Sequence, residues 1–377
     1  MKAKTKTSNN QLAITAVGLK SVTGNRDFAL FGAIATMLNA SKQDPFIEVP
    51  SDDGVEPALV ASIAAFENVN SIERMLIFLQ DAILDATDYL LEHQLENKKH
   101  LVFIVLPASA FERSKLIETK EWRKYIQDKL ESFTDLHFHF INADSNVIKH
   151  LTAACKKLVD EEIDSIIFAG SDTLVDVSTI NELIQKRKMC TNTQPNGVIP
   201  GEAAACVIIQ TIDPKKQPHC AIVKGLVTEE EPNSTKPDKK ELTGLSQAIQ
   251  NAAQLAGQQT ESIECIVRNG IHEQHYELEW YQTTQRLWPN KLPEQLRVAY
   301  QLGELDEPPI LKDRKLPEEL IPNITLGEIG AASVPLGLIL ACARFDFTYP
   351  SVKNCIICEI NEFLFRGVIW LENPGLK

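Results

Sequence analysis

No apolar run in this sequence approaches the ~18 residues of a membrane-crossing helix, so no membrane span is expected. Positive charge is also scarce. The chain has 38 Lys and Arg against 51 Asp and Glu, a formal net charge of −13. Nucleic-acid binders concentrate Lys and Arg on one surface. The short basic clusters here, Lys98-Lys99, Lys186-Arg187-Lys188 and Lys239-Lys240, read as solvated surface, and no nucleic-acid partner is expected. Residues 1–10 are basic and polar, lack the apolar core of a secretory signal, and are expected to be disordered. A glycine-rich phosphate loop is missing too: Gly170-Ser171-Asp172 is too short and has no Lys, so no nucleotide cofactor is expected. The 8 cysteines are scattered, most of them inside apolar runs where Cys acts as a small hydrophobe. That usage fits a reducing, cytoplasmic compartment. Cys355 and Cys358 are three apart in a strand-like run, where such residues face opposite sides, so they cannot share a metal. His272 and His275 would need a third ligand from elsewhere, and no metal is expected.

What the chain does have is an ordinary globular balance, 44% hydrophobic and 24% charged over 377 residues, enough for one large or two closely packed domains. Leu12–Gly18 reads as a first strand, Phe28–Asn39 as a helix, and Asp44–Glu56 as a Pro- and Asp-rich loop. Ser71 is the expected N-cap of an amphipathic helix to Leu91, with Met75, Leu76, Leu79, Ile83 and Ala86 on its apolar stripe. A continuous apolar strand follows at Leu101–Leu106, then a helix at Lys115–Phe133 and a strand at Leu136–Ile141. Later come a strand at Cys220–Val227, a surface loop at Thr228–Lys240, a helix at Leu242–Ala256, a strand at Ser262–Arg268, a helix at Glu277–Leu287 and an irregular stretch at Pro289–Pro322.

One pattern occurs twice. A helix opened by small or capping residues is followed by two buried strands, first as Ser145–Leu158, Asp164–Gly170 and Gly201–Gln210. The second copy is Leu326–Ser333 running into Val334–Phe345, then Cys355–Ile360 and Gly367–Leu371. The repetition predicts a duplicated α/β core, with halves at 11–211 and 212–377.

Four segments bear a family likeness: Ala16-Val17-Gly18-Leu19 with Gly24-Asn25; Ile163–Ser171; Pro200-Gly201-Glu202 running on to Ile209; and Gly327–Ser333 with Arg366-Gly367-Val368-Ile369. In this order, over nearly the full length, the chain resembles the thiolase-fold condensing enzymes, in particular the β-ketoacyl synthase branch. The resemblance implies a five-layer α/β/α/β/α sandwich with two pseudo-symmetric halves. It also implies a dimer, and acyl-thioester or acyl carrier protein partners. In that family a strand matching 136–141 pairs with its two-fold mate, which would put His137 and His139, on one face of the strand, at a subunit contact or against a helix.

The family's chemistry starts from a Cys at the N-terminus of the helix after the third strand, where the helix end favours a thiolate. Counting back from Asp164 puts that position at Asp144 or Ser145, and no Cys is there. Cys155, about three turns into the helix, reads as a packing residue. The pair Asp144-Ser145 reads either as a helix cap or, for Ser145, as an acyl-accepting nucleophile. Two further family positions carry His, or His and Asn. The first follows the strand ending at Arg268, where His272 and His275 are the candidates. The second follows the glycine of the last small-residue turn and is Glu328 here, a carboxylate that would repel a forming oxyanion. The Lys that usually precedes this turn gives way to residues such as Asn323 and Thr325. Two functions follow. One is a synthase-like protein without the condensing nucleophile, acting as an acyl- or carrier-binding, scaffold or accessory partner, in the manner of chain-length factors. Its dimer would be with itself or with a related synthase subunit. The other is an acyltransferase or thioesterase-like enzyme using Ser145, a histidine at 272 or 275, and Glu328.

Overall fold

The computed structural model describes residues 10–51, 54–63, 69–215, 219–234, 241–269, 274–289, 294–305, 316–347, 349–360 and 364–375. The expected disordered tail therefore falls, up to residue 9, outside the described residues.

In the first half the sheet strands are β1 (Gln11–Ser21), β4 (Lys99–Leu106), β5 (Asp135–Asn142), β6 (Ser165–Thr173) and β7 (Glu202–Ile212). In the second they are β8 (Ala221–Glu230), β9 (Cys265–Arg268), β10 (Glu318–Leu320), β11 (Asn354–Ile360) and β12 (Phe365–Glu372). The spatial order is β10-β9-β11-β12-β8-β1-β7-β6-β4-β5. Numbered within its own half, each set of five has the order three-two-four-five-one. Pairing directions repeat as well: β4 is parallel to β5 and β6, and β7 is antiparallel to β6 and β1. Likewise β9 is parallel to β10 and β11, and β12 is antiparallel to β11 and β8. The halves join through a short antiparallel contact of β1 with β8, at Ala13–Ile222 and Ile14–Ala221. The duplicated core read from the sequence is thus present, strand for strand.

Helices fill the layers. α5 (Val147–Val159) and α11 (Ser333–Asp346) lie in the middle, each touching strands of both halves. Their core includes Ile148, Leu151, Phe168, Leu338, Cys342 and Ile369. α2 (Ser71–Glu92) and α4 (Thr119–Lys129) cover the outer face of the first half through Phe78, Leu79, Ile83 and Trp122. α7 (Gly244–Ala256) and α8 (Gln274–Leu287) cover the second through Leu245, Ile249, Tyr276 and Trp280. Three apolar layers separated by two five-stranded units make the five-layer sandwich. Cys355 packs in the middle layer and Cys358 in the outer one, on opposite faces of β11 as strand geometry requires.

Several local expectations are corrected. Asp44–Glu56 is not loop but most of a hairpin, β2 (Lys42–Ser51) with β3 (Gly54–Val60), a separate two-stranded sheet whose prolines an edge tolerates. Val49 and Val60 of this hairpin pack on Ile180 and Leu183 of α6 (Val177–Gln185), a helix not anticipated from sequence. Its signal was local: Asp176 caps α6 by accepting from the Thr179 amide. Asn70, not Ser71, caps α2, accepting from Glu73 N at 3.0 Å. The stretch 289–322 contains α9 (Glu294–Gln301), β10 and the start of α10 (Pro322–Leu326); α1 (Asp27–Ala35), within the expected helix 28–39 but for its first residue, and α3 (Glu112–Lys115) complete the α-helices among the described residues.

The two sheet edges differ. β10 has 3 residues and is pinned by Arg344 to Glu318 (2.7 Å), while Arg268 holds Glu319 (3.0 Å). β5 has 8 residues and carries half-buried Phe138 and Phe140, their rings stacked 6.1 Å apart. Among the described residues no helix is long and apolar enough to cross a membrane.

Candidate functional site

Parallel strands gather chemistry at their carboxyl ends, where following loops and helix N-termini converge. Here the ends of β4, β5, β6, β9 and β11 meet the starts of α5 and α11 around one cavity of about 460 Å³. Its apolar wall includes Val105, Phe111, Val147, Leu174, Val334 and Ile360, and its polar lining includes Asp144, Asn269, Glu328 and Glu359. Lys186, Arg187 and Lys188, at the C-terminus of α6, line it too; Lys186 and Arg187 are exposed, whereas the four polar residues are half-buried. The cavity thus carries exposed basic residues beside half-buried carboxylates, with the Arg113–Asp172 ion pair also in its wall.

Asp144 sits in the turn between β5 and α5. Its Oδ2 accepts from the Ser109 amide at 2.9 Å and from the Ser109 hydroxyl. Asn142 fixes the same turn, donating to the Pro107 carbonyl and to Ser114 Oγ, both at 2.8 Å. The α5 N-terminus is already supplied: Asn146 accepts from Lys149 N at 3.0 Å. Ser145 is half-buried one residue after Asp144 and does not line the cavity. It is not the cap of α5 either.

Glu328 projects from the last small-residue turn. Asn323 donates to its Oε2 at 2.7 Å and the Gly330 amide to its Oε1 at 3.0 Å. The turn itself is tied to β6: Asp172 Oδ2 accepts from Ala331 N at 3.1 Å, and Arg113 donates to Asp172 Oδ1 at 2.8 Å. Gly330 has φ +47, and a Cβ there would lie 2.0 Å from Asp172 Oδ2, so both backbone sign and space demand glycine. The Glu of Pro200-Gly201-Glu202 serves the framework instead. It is fully buried and accepts from Arg74 at 2.6 Å and Thr173 at 2.8 Å.

Glu359, on β11, faces the start of α5. Burial pushes its carboxyl up to about 8, although a hydrogen bond from the Ile148 amide pulls the other way. It is thus largely a protonated acid near neutral pH. Gly367 makes this fit possible, since a Cβ there would come within 2.5 Å of the Ile148 side chain and 3.1 Å of Glu359 Oε2.

None of the 8 cysteines lines the cavity. Cys155 packs in the middle layer, and burial pushes its thiol up to about 12, far from a reactive thiolate. His272 lies outside the described residues, and His275 falls in the first turn of α8 with its side chain also outside them. The residue directly after β9 is Asn269, and it does line the cavity. Sequence reasoning passed over it for the nearby histidines, although the strand end at Arg268 pointed to it. Arg113, Asp172 and Glu359 were missed because their partners are distant in sequence. For Glu359 one signal existed: an ionisable residue inside the apolar run Cys355–Ile360. Among the described residues no group of three His, Cys, Asp or Glu side chains is placed to hold a metal ion.

No family model and no curated protein matches this sequence. Solved structures do. The chain is similar to the ketosynthase from module 6 of the bacillaene synthase of Bacillus subtilis 168, with a TM-score of 0.68 and 13% identity over 96% of this chain and 72% of that one. It is also similar to the ishigamide ketosynthase/chain length factor, with a TM-score of 0.65 and 11% identity over 96% of this chain and 99% of that one. A third is a type II PKS acyl-carrier protein in complex with its ketosynthase bound to the hexaketide, with a TM-score of 0.66 and 11% identity over 96% and 99% of the two chains. The chain has the thiolase-like fold of the ketosynthases.

Proposed function

We propose that this protein is a ketosynthase-like acyl- or carrier-binding partner without condensing chemistry. The observation that carries this reading is the pair Asp144 and Glu328 on one cavity, where a condensing site requires a thiol and an oxyanion-stabilising imidazole. A carboxylate is a poor acyl acceptor at a site with no thiolate, and a second carboxylate opposes developing oxyanion charge. What the site offers is a partly open, largely apolar chamber with charged residues in its wall, suited to holding a chain. Solved structures of similar fold include a chain length factor and a complex with an acyl-carrier protein, which supports a carrier or synthase partner. The long aromatic edge β5 supports strand pairing with a related subunit or a second copy, because unpaired backbone along such an edge seeks a partner. Ser145, needed by the acyl-transfer alternative, is off the cavity wall, and no observation favours that reading.

The test uses an acyl carrier protein loaded with a hexanoyl chain. Saturable binding, with the thioester recovered intact and the protein at its native mass, is the expected result. Consumption of the thioester, or release of carbon dioxide from a malonyl thioester, would overturn the proposal.

A further inference from the structure

Away from the cavity, the middle layer of the second half holds two pairs of thiols. Cys265 and Cys355 are register partners on the parallel strands β9 and β11, and both are fully buried in that layer. The other pair joins elements distant in the chain. Cys220, immediately before β8, and Cys342 of α11 are linked by a hydrogen bond between their side chains. Cys342 is 1% exposed, whereas Cys220 is half-buried and packs against the margin of the same apolar layer. The Cys220 amide donates to the Ile14 carbonyl at 2.8 Å, which fixes this residue where the two halves of the sheet join. The hydrogen bond makes the two thiols unequal. Cys342 donates to the Cys220 sulfur and holds that thiol below the ordinary range, while burial and the charges of Asp346 and Asp27 oppose the effect. The same bond, with burial, pushes the Cys342 thiol up. The more exposed sulfur is thus the better nucleophile, and a second thiol lies against it. Cys190, the other half-buried cysteine, has neither advantage: burial pushes its thiol up, and its Sγ donates to the Pro195 carbonyl at 3.5 Å.

We propose that Cys220 is a modification site for small disulfides of the glutathione disulfide class, with Cys342 as its resolving thiol. The Cys220 thiolate attacks one sulfur of the small disulfide, whose S–S bond breaks as a mixed disulfide forms on Cys220 and one small thiolate leaves. Cys342 then loses its proton and attacks the Cys220 sulfur, expelling the second small thiolate. Two protein thiols are oxidised to one disulfide, and one small disulfide is reduced to two thiols, which take up the protons shed by Cys220 and Cys342. The product ties the start of β8 to α11, a helix that packs on strands of both halves. The site is separate from the cavity and independent of what the cavity binds.

The test incubates the reduced, folded protein with glutathione disulfide and follows it by intact mass and peptide mapping. The wild type should lose two hydrogens, mapped to a Cys220–Cys342 crosslink, while Cys265 and Cys355 stay reduced. Cys342→Ser should stop at a single glutathione adduct on Cys220, and Cys220→Ser should gain neither adduct nor crosslink. A wild type that stays fully reduced overturns the proposal, and so does an adduct or crosslink that persists in Cys220→Ser. Alkylation of the wild type by iodoacetamide needs no variant and so survives a folding failure of either one. Cys220 should be labelled at least about tenfold faster than Cys190, and equal or slower labelling overturns the proposal.

Discussion

The carboxylates of the framework and those of the cavity are the same chemical group under opposite constraints. Asp172, Glu202 and Glu279 are buried and each is met by an arginine: Arg113 at 2.8 Å, Arg74 at 2.6 Å and Arg366 at 2.8 Å. These pairs stitch loops and helices to strands that are far apart in the chain. Asp144, Glu328 and Glu359 line the cavity, and among the described residues they accept from amides, a hydroxyl and a carboxamide. The first set keeps the fold of a condensing enzyme. The second lines the cavity where β4, β5, β6, β9 and β11 end, the site proposed to lack condensing chemistry. The polar scaffold and the cavity thus depend on different residues, so either can change while the other is kept.

That contrast can be broken most strongly at Glu202. E202Q leaves the Arg74 charge buried without its partner and should lower the unfolding free energy by about 3–5 kcal/mol in urea denaturation. A loss under about 1 kcal/mol would place Glu202 outside the framework set. Next is Gly330, which belongs to both sets because it carries Glu328 past Asp172. Gly330→Ala should cost about 1–3 kcal/mol from backbone strain alone, seen as a lowered Tm, and an unchanged Tm would contradict the close approach.

Glu359 tests the cavity set through pH. Its folded-state value of about 8 lies above the unfolded carboxyl, so the unfolded chain releases this proton first. Stability from this group is therefore complete below about pH 4 and is lost as pH rises toward about 8, at most about 1.4 kcal/mol per pH unit. E359Q should flatten the stability profile across that window, whereas an unaltered slope would show that the carboxyl is solvated. The smallest effect is expected at Asp144. D144N keeps an acceptor for Ser109 and should change stability by less than about 1 kcal/mol. A larger loss would move Asp144 into the framework.

The fold was legible because its strands are long, continuous apolar runs and because the helix–strand–strand pattern repeats. Even the opposite facing of Cys355 and Cys358 followed from strand geometry. The hairpin β2–β3 was hidden because Pro and Asp disguise an edge ribbon as loop. α6 was missed although its Asp176 cap was readable. In the site, Asp144 and Glu328 could be reached by counting along the chain from recognisable strands and turns. Asn269 could have been, but a pair of histidines drew attention downstream. Glu359 left one sign, a carboxyl inside an apolar run, but Arg113 and Asp172 left none, since only tertiary packing joins them across a separation of 59 positions.

The central claim is that the synthase scaffold persists here without an acyl-accepting group. It is tested most directly by intact-mass measurement of the wild type and D144C after incubation with hexanoyl-phosphopantetheine thioester. The account predicts an unmodified wild type and a single hexanoyl adduct on D144C, where a thiol regains the start of α5. A hexanoyl adduct on the wild type that disappears in S145A would contradict it.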